Sequence, residues 1–208
     1  MKLKHAAVAL AMIGTALGGS VTVTNINAGS SELVVDNAGN PVVGGFVGVG
    51  TVGAAPAEGF GSLNGAQLAD LFDPFATGAT ENPAGNFLLD LDMAFEVTGS
   101  ANFDSSPLAG GTIYLVLGNG ADLASSTQAG IMTLGSFPSS EPTPPNPVIM
   151  SNAAASVIFG DYTGTAANGS GITAGERPAF SLAPLVPEPS SSLLAAFAGL
   201  ILLARRKR

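Results

Sequence analysis

Any chemistry in the body of this chain would have to run on carboxylates and hydroxyls, because the other reactive side chains are missing. There is no cysteine, the single histidine is His5, and no lysine lies between Lys4 and Lys207. Ser-His-Asp and Cys-His catalysis therefore lack their base. Zinc sites built on Cys or His, Schiff-base lysines and phosphate-loop lysines fall for the same reason. Paired carboxylates remain, the groups that perform acid–base work in glycosidases. Asp90 and Asp92 are the obvious pair, because residues two apart on a strand share one face about 7 Å apart. Two acids on the wet face of an amphipathic strand need no catalytic explanation, however. No Asp-Thr-Gly or Asp-Ser-Gly signature occurs, and Tyr114 and Tyr162 are the only polar aromatics, tryptophan being absent. The expectation is a protein that is not an enzyme and has no organic cofactor.

Two further motifs can be weighed on their surroundings. Gly48-Val49-Gly50-Thr51-Val52-Gly53 spells G-x-G-x-x-G, with Asp70 or Asp73 at roughly the distance of a ribose contact. A dinucleotide site needs a helix opening at the third glycine. Ala54-Ala55-Pro56 follows instead, so a Gly-rich strand or bulge is the simpler reading. Oxygen ligands for calcium are plentiful in Asp70, Asp73, Asp90, Asp92, Asp104, Asp122 and Asp161. None of the spacings is that of an EF-hand loop, so calcium stays open and no metal ligand is assigned. Asn168-Gly169-Ser170 reads as a Gly-rich turn.

The elements that would position these residues are mostly strands. Glu32–Asp36 is short and β-branched, and Asn37-Ala38-Gly39-Asn40-Pro41 supplies a turn. Val42–Val52 reads as a Gly-interrupted strand. Asn64–Phe72 is the one helix, with Leu68, Leu71 and Phe72 on one side and Asp73-Pro74 as its stop. Asn86–Val97 alternates Phe87, Leu89, Leu91, Met93, Phe95 and Val97 with more polar residues, the pattern of a half-buried strand. Thr112–Leu117 is apolar throughout and suits a central strand. Ile131–Leu134, Ser156–Tyr162 and Ala179–Leu182 are further candidates. The prolines of residues 138–147 make an extended excursion, read as a long loop within one domain. The expected fold is all-β, a single β-sandwich-like domain with one short helix.

The two ends differ from this body. Lys2 and Lys4 precede the apolar stretch Ala6–Leu17, and small residues follow at Ala16, Gly18, Gly19 and Ser20. That is a secretory signal peptide, for passage through the Sec translocon. It covers residues 1–20, with cleavage fitting best after Gly18 or Ser20 and Ala28 as a later option. The exported domain is residues 21–185. Between Gly29 and Pro189 stand 15 acids against one base, Arg177, a net −14 inside a chain whose overall charge is −8. Such a field repels nucleic acid and anionic surfaces. Without disulfides, the domain must be held together by burial.

Residues 186–208 form a separate tail. Pro187-Glu188-Pro189 leads into the uncharged segment Ser190–Ala204, closed by Arg205, Arg206, Lys207 and Arg208. Fifteen helical residues reach about 22 Å, short of a hydrocarbon core about 30 Å thick. The terminal cations can snorkel to headgroups and should stay cytoplasmic. A permanent C-terminal anchor is the alternative to a tail that is removed.

A Pro-Glu-Pro signature, an apolar segment and a basic cap in this order resemble the PEP-CTERM sorting signal of certain Gram-negative bacteria. Short body pieces, among them Asp36–Pro41, Val47–Thr51 and Leu108–Tyr114, are similar to small members of that group. The resemblance implies recognition of Pro187, Glu188 and Pro189 by an exosortase-type membrane peptidase and cleavage near them. It implies membrane partition by a C-terminal hydrophobic helix and a topology-setting, stop-transfer role for Arg205–Arg208. It further implies residence in the cell envelope or extracellular matrix, in association with exopolysaccharide. A calcium- or polysaccharide-binding module, permanently anchored, is the alternative function.

Overall fold

An unbroken apolar run must be covered on both faces, and Ile113-Tyr114-Leu115-Val116-Leu117 is. The computed structural model of the protein describes residues 18–27, 30–80, 93–141, 147–162 and 178–187. These residues are mostly β with one short helix. In chain order the strands are β1 (Gly19–Thr24), β2 (Ile26–Asn27), β3 (Ser30–Ser31), β4 (Leu33–Val35) and β5 (Phe46–Val52). Helix α1 (Gly65–Leu71) runs directly into β6 (Phe72–Ala79). Then come β7 (Glu96–Ala101), β8 (Thr112–Gly118), β9 (Gln128–Ser136), β10 (Pro147–Ile149) and β11 (Ser156–Phe159). The last are β12 (Asp161–Tyr162), β13 (Ala179–Ser181) and β14 (Ala183–Pro184).

The main sheet has the order β11-β9-β8-β5-β6, with β14 pairing beside β9. Period-two alternation on β8 separates two apolar clusters. Ile113, Leu115 and Leu117 enter the larger one with Val47, Val49, Met132 and Leu134. Val116 turns the other way, to Ile131, Leu68, Phe60 and Leu63. The larger cluster is completed by Val21, Val23 and Val97 from the sheet β10-β1-β7 and by Val34 and Phe180 from β12-β13-β4. The smaller one is roofed by α1 and the turn before it.

Helix α1 begins where a capping box requires. The Asn64 side chain accepts the Gln67 N–H at 2.8 Å, and the Gln67 carbonyl accepts the Asn64 N–H at 3.0 Å. Asp73-Pro74 does not end the helix in a loop, because Phe72 is already the first residue of β6. Proline is tolerated there because β6 is an edge strand and the ladder bulges opposite it, between Val49 and Gly50.

Three sequence expectations shift. The alternating run at Asn86–Val97 lies outside the described residues up to Asp92, and beyond them it does not continue straight. Met93 has φ 55 and joins Leu33, Val35 and Ala179, whereas Phe95 and Val97 enter the main core. Asn25 makes that bend by holding the backbone on both sides of Ala94, as detailed below. The run Ser156–Tyr162 changes sheets at Gly160, whose φ of 101 suits glycine. Finally, residues 18–27 belong to the fold. β1 is the middle strand of its sheet, antiparallel to β7 and parallel to β10. A boundary after Ser20 therefore falls inside a strand, and a cut after Ala28 would remove Val21 and Val23 from the core. Residues 142–146 lie outside the described set, but Phe137 before them and Val148 after them pack into the same cluster. Among the described residues, no helix is long and apolar enough to cross a membrane. The expected hydrophobic helices at the two termini lie outside them.

Candidate functional site

The acids proposed from sequence do not assemble. Asp90 and Asp92 lie outside the described residues. Asp70, Asp73, Asp104, Asp122 and Asp161 are exposed, and among the described residues no three His, Cys, Asp or Glu groups come together. Several of these carboxylates serve their own turns. Asp122 accepts the Ser125 N–H at 2.7 Å, a bond that holds its carboxyl below the ordinary value. Asp36 accepts Ala38 N–H at 2.9 Å and Asn40 N–H at 2.8 Å. Partial burial disfavours its ionised form, but these bonds, with those from the Asn40 side chain and Gly39, together outweigh it and lower the pKa.

The G-x-G-x-x-G segment is strand β5, flanked by β6 and β8, with no helix opening at its third glycine. Its glycines answer to packing: a Cβ on Gly50 would sit 2.1 Å from the Asp73 carbonyl, and one on Gly48 would sit 2.6 Å from the Phe72 ring.

The polar chemistry that is buried lies elsewhere. Glu32, 3% exposed, is the buried carboxylate among the described residues. Ser151 Oγ donates to its Oε1, and Asn27 Nδ2 donates to Ser151 Oγ at 3.4 Å. Glu32 Oε2 and the Tyr162 hydroxyl are both buried and complete no well-formed hydrogen bond, although the phenol is close enough to Glu32 and Ser151 to interact with both. Burial, and then the negative charge of Glu32, pushes the Tyr162 phenol up to about 12. Ser151 and Tyr162 also line a cavity of about 150 Å³, with Met132, Met150, Asn152 and Val157. Among the described residues no imidazole stands beside Ser151, whose hydroxyl partner is the Glu32 carboxylate, and the arrangement offers hydrogen bonds to a ligand. The cluster joins residues 119 apart in the chain. Its sequence trace is slight: one acid, Glu32, heading the apolar run Leu33-Val34-Val35.

At the other end of the described residues, the backbone is hydrogen-bonded as far as Val186. The Leu185 N–H donates to Thr127 O and the Val186 N–H to Leu63 O, both at 2.9 Å. Leu185 is buried, Val186 is 46% exposed and Pro187 is exposed. Asn64, Gly65, Ser125, Thr127, Val186 and Pro187 frame a groove of about 270 Å³ at this exit. Glu188, Pro189 and Arg205–Arg208 lie outside the described residues. Compared with family models, curated proteins and solved structures, the chain matches none of them.

Proposed function

We propose that this is an exported, non-catalytic protein of the cell envelope or extracellular matrix, a β-sandwich-like body delivered by its two ends. The signal peptide would carry it outward, and the C-terminal helix would hold it until a PEP-type membrane peptidase cuts near Pro187–Pro189. The supporting observation is the order of the tail itself: Pro187-Glu188-Pro189, then the uncharged segment Ser190–Ala204, then Arg205–Arg208. Among the described residues the last backbone hydrogen bond is donated by Val186, and Pro187, the first residue of the tripeptide, is exposed. A peptidase needs a substrate segment that is not locked into a sheet. The acidic, cysteine-free body suits a self-repelling particle outside the cell.

Replacing Pro187, Glu188 and Pro189 together by alanine tests this reading. The altered protein should still be exported but should accumulate in the membrane fraction at full length, while the natural chain is released. Equal release of the two would count against the tripeptide as the recognition element.

A second reading is favoured by the Glu32 cluster: a binding module for polysaccharide. Two of its polar side chains, Ser151 and Tyr162, line the cavity, where a carbohydrate hydroxyl could hydrogen-bond to them. Calcium fits less well there, since it wants six to eight oxygens and the cluster offers a single carboxylate. Retention on native exopolysaccharide, lost in Glu32→Gln with the fold intact, supports this reading. Equal retention by both proteins removes it.

A further inference from the structure

The leading nitrogen of β1 meets a carboxylate from far along the chain. Gly19 N–H donates to Glu141 Oε1 at 2.6 Å, across 122 residues. The same oxygen accepts the Phe103 N–H at 3.1 Å, and the Glu141 N–H donates to Asp104 Oδ1 at 2.9 Å. The Glu141 carboxylate thus caps the start of β1, and Asp104 holds the Glu141 backbone. Gly18, next to Gly19, is exposed, and pairing of β1 with β7 begins at Gly19 opposite Ala101. Ala16 and Gly18 are small at the third and first positions before the Gly18–Gly19 bond, the pattern a leader peptidase reads.

We propose that the leader is cut between Gly18 and Gly19, and that the α-ammonium released on Gly19 binds the Glu141 carboxylate, pinning the new chain end to the loop that follows β9. The inference rests on the export reading above. Hydrolysis consumes one water: Gly18 gains the carboxylate oxygen, and Gly19 keeps the nitrogen as an ammonium. Of the candidate cuts, this one alone leaves β1 whole and puts its free end on a carboxylate. A cut after Ser20 removes the donor to Glu141, and a cut after Ala28 removes the strand. A neutral N–H at this position becomes a charge-assisted donor after cleavage. Glu141 favours the charged amine directly; Asp104, bonded to the Glu141 N–H, is the next acid, and β7 adds Glu96 only at the far end of the pairing, opposite Thr24. The amine pKa should rise above its ordinary value of about 7.7–8.0. The stability this supplies is full below about pH 7.7 and fades as pH climbs through the raised value.

The test uses mature protein purified from the cells that make it. With no lysine between Lys4 and Lys207, the amine of the body is its N-terminus alone, and peptide mapping separates it from any retained Lys207. N-terminal sequencing should begin at Gly19. The pH profile of amine acylation should lie at least one unit higher in folded protein than in urea, with labelling about tenfold slower at pH 8. Glu141→Gln should collapse that difference, and the urea reference stands even if the variant is poorly made. A start at Val21 or Gly29, or coincident folded and unfolded profiles, overturns the inference while leaving export intact. Retention of Met1 overturns both.

Discussion

Asn25→Ala should destabilise the protein by about 2–4 kcal/mol, seen as a lower urea midpoint at unchanged slope. Asn25 is fully buried. Its Nδ2 donates to Glu32 O at 2.7 Å and to Met93 O at 2.9 Å, while its Oδ1 accepts the Phe95 N–H at 2.7 Å. The two carbonyls and one N–H together fix which way the amide points. Alanine leaves all three groups buried and short of a partner. That loss is a large share of the 5–15 kcal/mol that usually separates folded from unfolded states. Asn25→Asp supplies a second check. Its carboxylate can still accept from Phe95 but faces two carbonyl oxygens, so the penalty should ease as acid protonates it. A cost for Asn25→Ala below about 0.5 kcal/mol, the ordinary range for a surface site, would show that Asn25 does not organise this corner.

Gly50→Ala should also cost heavily, about 1–3 kcal/mol or more, whereas Gly53→Ala should be close to neutral. At Gly50 the added carbon would meet Asp73 O at 2.1 Å and Phe75 N at 3.0 Å, both backbone atoms of the neighbouring strand. At Gly53 it would meet the tip of Leu71 at 3.3 Å, a side chain able to give way. A dinucleotide fingerprint gives its third glycine a helix-packing role, so that reading makes Gly53 the sensitive position. Thermal melts of the two variants separate the readings. Equal loss at both positions would contradict the bulge account of β5.

Local signals were readable wherever neighbours in sequence are also neighbours in space. The apolar run at β8, the turn at Asn37–Pro41 and the helix beginning at Asn64 all come from residues within a few positions of each other. β1 is not legible as a strand, because Gly19 and Ser20 belong to the small residues that close the expected signal peptide and only Val21–Thr24 remains to show an alternation. The Glu32–Ser151–Tyr162 cluster was not legible, because its members approach only after β4, β10 and β12 are folded against one core. Gly160 had no distinguishing neighbour to announce that the chain leaves one sheet for another. The tail is the reverse case, since its order of motif, apolar segment and cations carries its meaning without any fold.

The whole account turns on a body that becomes free of the membrane once its hind segment is severed. Intact mass of the protein from native cells, compared with cells lacking the sorting peptidase, reads this directly. The expected result is a C-terminus between Val186 and Ser190 in normal cells and at Arg208 when the peptidase is absent. Arg208 retained in both would contradict processing and leave a permanently anchored protein.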